Sequence, residues 1–341
     1  MPISVTLFPL AEYWWFYAGF TVFVMGLLFV DLGVFHRSAH RVTFREAGLW
    51  TVVWVSLALA FNWGFYEYML RAFPKDARLL AIPGFDALAA ARQTALEFLA
   101  GYVVEYSLSV DNIFVFVVVL KYFAVPSNLQ HRVLFFGILG ALVFRAIFIA
   151  MGALLLQFEW VIWIFGAFLV YTGFKMMASG DGPSIDPGDR GVIRWFRRHV
   201  PVTRDFQGGK FFVRMAGGIS ATPLFIALLF LELTDIVFAV DSVPAIFGLT
   251  REPLVVFTSN IFAILGLRNL YFLLAEAVDK FYMLKYGLGI VLIFVGLKMS
   301  ILNRLWGGHF PIGISLGIIL GVIASSIILS FVFPKPSEES R

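Results

Sequence analysis

The chain has 341 residues, of which 60% are hydrophobic, 17% are aromatic and only 14% are charged. Charged residues make up about 25% of an ordinary soluble domain, so this composition excludes a water-soluble globular fold. The chain contains no cysteine, which excludes disulfides, metal–thiolate sites and cysteine nucleophiles. The formal net charge of +4 does not require a nucleic acid partner, because basic loops beside a membrane account for it.

Nine hydrophobic segments are long enough to cross the roughly 30 Å of hydrocarbon in a bilayer. They cover residues 11–34, 48–70, 93–120, 132–156, 159–178, 213–248, 254–277, 283–302 and 310–333. The lipid bilayer is therefore an expected partner. The sequence predicts an all-α membrane protein with about nine transmembrane helices.

The long polar stretch at residues 179–212 determines the expected orientation. It carries six basic residues between Arg190 and Lys210, and positively charged loops stay on the cytoplasmic side of a membrane. The alternation of nine spans then places the amino terminus outside and the carboxyl terminus in the cytoplasm. The short basic loop at residues 71–78 breaks the rule.

Two apolar stretches each carry closely spaced carboxylates. They are Glu105-Tyr-Ser-Leu-Ser-Val-Asp111-Asn112 and Glu232-Leu-Thr-Asp235-Ile-Val-Phe-Ala-Val-Asp241-Ser242. When the two stretches are aligned, the pattern of an acid, five residues and an acid occurs in both. An ionised carboxylate at the centre of a bilayer costs about 2.5–3.5 kcal/mol even on a lenient scale. Five such carboxylates therefore indicate a functional site.

The two acidic motifs belong to a longer internal repeat. Arg145 recurs as Arg268, and residues 169–177 recur as residues 292–300 with Leu, Gly, Lys and Met identical. Each copy holds three spans, an odd number, so the second copy is expected to lie upside down relative to the first. Inverted-topology three-helix repeats recur in secondary transporters, although a duplication without transport is the alternative. The expected units are two N-terminal helices (1–92), the first repeat (93–178), a basic cytoplasmic loop (179–212), the second repeat (213–303) and the last helix with its tail (304–341).

The two motif segments are expected to be irregular helices. The sixth segment, residues 213–248, is longer than one span requires and contains Pro223 and Pro244, each of which removes a helix hydrogen bond. The third segment contains Ser, Asp and Asn residues, which are poor helix formers. Non-helical backbone at membrane depth is tolerated where it lines a cavity or is buried in protein, so both segments are expected to be bent or locally unwound at the site.

We expect the third and sixth helices to run antiparallel and side by side, so that the motif acids meet. In that arrangement Glu105 approaches Asp241, and Asp111 approaches Asp235. Together with the amide of Asn112 these carboxylates form an all-oxygen environment, which Mg²⁺, Ca²⁺ and Mn²⁺ prefer over softer metals.

Two arginines lie in the same hydrophobic segments as the acids. Arg145 and Arg268 could form a structural ion-pair network with them, as buried charges often do. Two arginines do not neutralise five acids, so a metal ion or protons are expected to supply the difference. We interpret the arginines themselves as residues that either support the metal ligands or are structural. The roles of Asp31, Glu97 and Glu276 stay open.

The sequence shows no signature of an enzyme. It has no glycine-rich phosphate loop followed by Lys and Ser or Thr, which argues against ATP-driven transport. A membrane hydrolase would need a nucleophile with a base, or a pair of metal-binding histidines, and the sequence has neither pattern. We therefore expect a protein that is not an enzyme and that uses no cofactor.

The two motif segments resemble the signature stretches of the TerC family of integral membrane proteins. The resemblance covers nearly the whole chain, and the nine-span length with two spans before the first motif is similar to the Alx-type manganese exporter branch. It implies manganese(II) efflux across the bacterial inner membrane, with Mn²⁺ as the transported ion. By position it carries metal-site roles onto Glu105, Asp111, Asn112, Glu232, Asp235 and Asp241.

Two functional hypotheses from different classes follow. The first is a secondary transporter that exports Mn²⁺ in exchange for protons, since a carboxylate can hold either ion. The second is a membrane scaffold or metal-sensing assembly factor whose acidic core is structural. The residues alone leave Mg²⁺ and Ca²⁺ open beside Mn²⁺.

Overall fold

The computed structural model describes residues 6–30, 43–178, 200–203, 205–215, 218–274, 281–307 and 310–333, without the side chains of Asp111 and Phe114. The helices are α1 (Leu10–Val30), α2 (Phe44–Ala72), α3 (Ala77–Leu80), α4 (Ala87–Tyr122), α5 (Ser127–Leu155), α6 (Glu159–Ala178), α7 (Pro223–Phe247), α8 (Pro253–Leu274), α9 (Leu284–Leu297), α10 (Asn303–Leu305) and α11 (Ile312–Val332). A 3₁₀ turn (Phe73–Lys75), a π-helical segment (Lys298–Leu302) and two strands, β1 (Phe212–Met215) and β2 (Gly218–Ala221), complete the described elements.

Within the described ranges, nine helices are long and apolar enough to cross a membrane. This finding confirms the predicted all-α membrane fold. The apolar part of α8 is completely buried by its neighbours, whereas α1, α2, α6 and α11 leave most of their surface open. Helix α8 is therefore the centre of the bundle, and the outer helices present apolar faces suited to lipid.

The sixth span begins later than the hydrophobic pattern indicates. The pattern predicts a helix over residues 213–248, but the first part of this segment forms the antiparallel hairpin β1–β2, in which Phe212 pairs with Ala221. Helix α7 begins at Pro223. Proline is favoured at the first position of a helix because the missing N–H has no intrahelical acceptor there.

Neither motif helix is locally unwound, so the expected unwinding is wrong, while a bend stays a prediction. Helix α4 is continuous through residues 105–112, and α7 is continuous with Pro244 only in its last turn. The polar residues of α4 are accommodated within the helix, because the Ser107 hydroxyl donates to the Val103 carbonyl at 2.6 Å. The irregular turn lies elsewhere, in the π-helical segment Lys298–Leu302.

Helices α4 and α7 run antiparallel and side by side, as predicted. Glu97 near the start of α4 accepts a hydrogen bond from Thr250 just beyond the end of α7, at 2.5 Å. One turn further along α4, Gly101 packs against Ile246, where an added Cβ would lie 3.2 Å from the isoleucine side chain. As the residue numbers rise along α4, the numbers of the residues that contact it on α7 fall, so the two helices are antiparallel.

Four glycines bring α6 and α9 into close antiparallel contact. Gly166 faces Gly296 and Gly173 faces Gly289, and a Cβ added at any of the four would lie 2.5–2.9 Å from the partner's carbonyl oxygen. Small residues of this kind let helix backbones approach closely in membranes. The sequence repeat aligns Gly173 with Gly296. The antiparallel pairs α4–α7 and α6–α9 are those that inverted repeats require, and a twofold axis relating the two units stays a prediction.

The segment before α1 is fixed to the rest of the protein at the end of the bundle where α4 begins. Glu252, between α7 and α8, accepts hydrogen bonds from the backbone N–H groups of Leu7 at 2.8 Å and Phe8 at 3.3 Å. The Phe8 ring is buried, and it contacts the rings of Tyr13, Phe65 and Phe73.

Candidate functional site

A fully buried ion pair lies at the centre of the candidate site. Glu105 on α4 and Arg145 on α5 have side-chain exposures of 0% and 1%, and Arg145 Nη1 donates to Glu105 Oε1. Among the described residues, Arg145 is the largest side chain that is fully buried. Burial of two charges is stabilising only when further hydrogen bonds satisfy them, so additional polar partners are required.

Those partners come from two further helices. Arg145 Nη1 lies 2.8 Å from Ser242 Oγ on α7 and 3.4 Å from Asn260 Oδ1 on α8. The other end of the Asn260 amide donates to Glu105 Oε2 at 3.3 Å. Side chains of α4, α5, α7 and α8 thus converge on one guanidinium group.

Asp235 on α7 is the second carboxylate beside Arg145. Its Oδ1 lies 3.6 Å from Arg145 Nη2, which is an ion pair but longer than a hydrogen bond. The Asp235 side chain is buried, and its Oδ2 has no hydrogen-bond partner. Asp235 and Ser242 are seven residues apart, so both project from one face of α7 towards Arg145.

Glu232 extends this acidic face by one turn of α7. Its carboxylate lies directly over Gly140 of α5, so closely that a Cβ added at Gly140 would collide with both carboxylate oxygens. Glu232 Oε2 has no hydrogen-bond partner. The absence of a side chain at position 140 therefore makes the space that the carboxylate occupies.

The described part of the site holds three carboxylates, and two of them pair with the same guanidinium group. The carboxylates of Glu105, Glu232 and Asp235 lie there, and Arg145 forms the described ion pairs with two of them. The described residues contain no group of three His, Cys, Asp or Glu side chains arranged to hold a metal ion. The arrangement is therefore a counter-ion complex with two unpartnered carboxylate oxygens, which a cation or a proton can satisfy.

The expected pairing of Glu105 with Asp241 is wrong. Glu105 shares Arg145 with Asp235, whereas Asp241 points towards α6, where Thr172 Oγ1 lies 3.5 Å from its Oδ1 and Lys175 is an electrostatic neighbour. The reason is helical rotation. Ser242 faces Arg145, and the residue before it is turned by about 100° around the helix axis.

The remaining predicted site residues lie on α4. Asp111 is part of the helix, but its side chain lies outside the described residues, so its approach to Asp235 stays a prediction. Asn112 is buried on α4, seven residues and thus two turns from Glu105. Asp31 and Glu276, whose roles were left open, also lie outside the described residues.

Glu97 belongs to a second polar group, eight residues before Glu105 on α4 and about 12 Å away along the helix axis. It accepts hydrogen bonds from Gln93 at 2.9 Å and from Thr250. The buried Lys298 in the π-helical segment donates to the Leu249 carbonyl at 3.3 Å and is electrostatically coupled to Glu97. Polar side chains therefore continue from the candidate site towards the end of the bundle that Glu252 and the N-terminal segment close.

Several contacts of the site were not predicted from the sequence. Asn260 was visible as a polar residue in an apolar run, but nothing in the sequence indicated that it bridges Glu105 and Arg145. Nothing in the sequence marked Gly140 or Thr172 as part of the site, because their contacts depend on which helix packs against them. Arg145 was correctly placed near the acids, although its contact with two carboxylates at once was not anticipated.

Comparisons with known proteins agree with the motif resemblance. The sequence model of the "Integral membrane protein TerC family" matches residues 90–338. The chain is 45% identical over 317 residues to "Putative membrane-bound redox modulator Alx" of Escherichia coli (strain K12), covering 92% of this chain and 93% of that protein. It is 47% identical over 317 residues to "Uncharacterized membrane protein STKORF319" of Myxococcus xanthus, covering 93% and 92% of the two chains. It is also 46% identical over 237 residues to "Thylakoid membrane protein TERC, chloroplastic" of Arabidopsis thaliana, covering 69% and 61%. No solved structure matches the chain significantly.

Proposed function

Because the chain belongs to the TerC family of integral membrane proteins, we propose that it is a secondary transporter that exports divalent manganese. The ion would cross through the acidic site where α4, α5, α7 and α8 meet, at the interface of the two proposed inverted repeats. Protons would move in the opposite direction. No chemical step and no cofactor is part of this proposal.

One observation carries the proposal. Asp235 Oδ2 and Glu232 Oε2 have no hydrogen-bond partner, although both lie on a helix apolar enough to cross a membrane. Unpaired carboxylate oxygens in such surroundings are costly. They are retained where a cation binds during the working cycle.

The donor set supports a hard divalent cation as the substrate. Carboxylate, hydroxyl and amide oxygens surround the site, and the chain has no thiol. Mn²⁺, Mg²⁺ and Ca²⁺ all accept such ligands. The choice of Mn²⁺ among them comes from the family resemblance.

Proton exchange follows from the charges of the site. Asp235 Oδ2 and Glu232 Oε2 have no hydrogen-bond partner, and a proton can bind at either oxygen. A departing Mn²⁺ ion would leave these carboxylates without its positive charge, and protonation would replace that charge. We therefore propose Mn²⁺/H⁺ exchange, in the bacterial inner membrane, with the amino terminus outside and the carboxyl terminus in the cytoplasm.

A membrane scaffold or metal-sensing assembly factor is the second candidate function. The observation that favours it is the Glu105–Arg145 pair, which is buried and also bonded to Ser242 and Asn260, as in a structural network. The E. coli relative is named a redox modulator. A chain without cysteine cannot perform thiol–disulfide exchange itself, so a redox role here would have to act through a partner or a metal ion.

Metal flux into inside-out membrane vesicles separates the two functions. We expect vesicles that contain the wild-type chain to accumulate Mn²⁺ when their lumen is acidic. Asp235→Asn should lower the rate of uptake by about 100-fold. Loss of a group that only supports a metal ligand costs about 10–100-fold in affinity or activity, and loss of a ligand itself costs more. Glu67→Gln is the matched control, because in the described part of the chain Glu67 pairs with the exposed Arg71 on α2 and with no residue of the site.

The outcomes are clearly separated. A scaffold gives no Mn²⁺ flux above that of empty vesicles even with every acid intact. Flux that is equal in the wild type and in Asp235→Asn would show that transport does not use this site. Competition by Mg²⁺ and Ca²⁺ in the same assay measures the selectivity.

A further inference from the structure

Arg145 holds its two carboxylate partners unequally. Glu105 is bonded through both oxygens, one to Arg145 and one to Asn260. Asp235 is touched by Arg145 at 3.6 Å through one oxygen only, and its second oxygen is unpartnered. The guanidinium is therefore anchored at Glu105 and only loosely associated with Asp235.

We propose that Arg145 is a tethered competitor of the transported cation. When the site holds no metal ion, the guanidinium provides the positive charge beside Asp235. When a divalent cation binds at Glu232 and Asp235, Arg145 gives up Asp235 and remains with Glu105. This inference rests on the proposed transport function and adds the residue that limits the affinity of the site.

Ser242 and Asn260 help to hold one end of the guanidinium in place. Both offer neutral oxygen acceptors, at 2.8 Å and 3.4 Å, to Nη1, which also donates to Glu105. The contact with Asp235 is made by Nη2, so its loss leaves the bonds of Nη1 intact. The anchor at Glu105 keeps the positive charge within range of Asp235.

A resident positive charge has two consequences for an ion that must leave again. Its repulsion of the bound cation weakens binding, because charges a few ångströms apart interact strongly in a poorly screened site. Release then requires only that the guanidinium return to Asp235. A monovalent ion also has less charge with which to displace it, so the arrangement favours divalent cations.

The test is the Mn²⁺ affinity of the purified full-length protein, measured by equilibrium dialysis with Mn²⁺ alone. We expect Arg145→Gln to bind Mn²⁺ at least about tenfold more tightly than the wild type, which is the lower end of the effect of one neighbouring charge on a carboxylate. The same variant should transport Mn²⁺ more slowly, since release becomes limiting. The matched control is Lys298→Gln, which removes another buried cation that lies at the distant Glu97 group.

Arg145→Lys keeps the proposal testable if the glutamine variant does not fold. A lysine ammonium can remain paired with Glu105, but it lacks the planar fork that reaches a second carboxylate. We expect this variant to melt near the wild-type temperature and to bind Mn²⁺ more tightly than the wild type. A larger rise in melting temperature on addition of Mn²⁺ provides a second readout of the same affinity.

The possible results distinguish this inference from the proposed function. If the folded Arg145 variants bind Mn²⁺ with the wild-type affinity or more weakly, Arg145 is not a competitor, and the proposed transport function is unaffected. If the wild type and the variants bind no Mn²⁺ at all, both the site and its competitor are wrong. Tighter binding in Lys298→Gln by the same factor would show a general charge effect and would also refute the specific role of Arg145.

Discussion

Glu232, Asp235 and Ser242 lie on one face of α7, and their chemistry changes along it. Glu232 is only partly buried and has an unpartnered oxygen, Asp235 is buried beside Arg145, and Ser242 offers a neutral acceptor. The acidic end of this face is nearer the start of α7. In the proposed orientation that end faces the cytoplasm, so an outgoing cation would meet Glu232 first and Arg145 afterwards.

Gly140 controls the position of Glu232, and its replacement tests this contact. A Cβ at Gly140 would collide with the Glu232 carboxylate, whose oxygens would then have to leave their present position. We expect Gly140→Ala to weaken Mn²⁺ binding about tenfold, as other groups that position metal ligands do. Equilibrium dialysis with Mn²⁺ measures the change.

Gly137 is the matched control for this substitution. It precedes Gly140 by nearly one turn of α5, and a Cβ there would meet only Leu228 at an ordinary distance of 3.9 Å. We expect Gly137→Ala to bind Mn²⁺ like the wild type. Equal affinities of both variants would mean that Glu232 does not contribute to the site.

At the scale of the elements, the sequence predicted which segments are helical better than where they begin. Runs of about 20 apolar residues identify spans by length alone. The hairpin β1–β2 is also apolar, so it was merged with α7, and only Pro223 marked the boundary. The π-helical turn at Lys298–Leu302 begins at the buried Lys298, which donates to the Leu249 carbonyl, a tertiary contact without a local sequence signal.

Docking of the N-terminal segment should depend on pH through Glu252. Burial raises the pKa of Glu252 to about 7 when the N-terminal segment is docked on it. The charge of Glu97 also raises this pKa, whereas the N–H groups of Leu7 and Phe8 and the charge of Arg78 lower it. Undocking returns the carboxyl group to water, where its pKa is about 4.3. The docked state therefore binds more protons between these two values, and docking weakens as the pH rises through this window.

Hydrogen exchange at the Leu7 and Phe8 amides measures this effect. After correction for the intrinsic exchange rates, we expect protection to fall at least about tenfold between pH 5 and pH 8, since one pKa unit corresponds to tenfold. Glu252→Gln should remove the slope, and Glu67→Gln, at a partly exposed position on α2, should retain it. A wild-type slope in Glu252→Gln would assign the pH dependence to another group.

At the scale of the whole molecule, the sequence predicted that acids of two motifs would meet but not which ones. The antiparallel contact of α4 and α7 was correct. A difference of one residue turns a side chain by about 100°, so Asp241 faces α6 while Asp235 meets Glu105 through Arg145. Helix rotation of this kind is set by side-chain packing between helices that are distant in the sequence.

The inverted arrangement of the two units can be tested on membranes, because the chain has no cysteine and any introduced thiol is a unique label. Asn128 follows α4 and Arg251 follows α7, and both are exposed. Since α4 and α7 run antiparallel, we expect a membrane-impermeant maleimide to label Arg251→Cys on intact bacterial cells and Asn128→Cys only after permeabilisation. Gln157→Cys, beyond α5, should behave like Arg251→Cys. Labelling of Asn128→Cys and Arg251→Cys from the same side would contradict the inverted topology. If only Asn128→Cys were labelled on intact cells, the two units would still be inverted, but the proposed orientation in the membrane would be reversed.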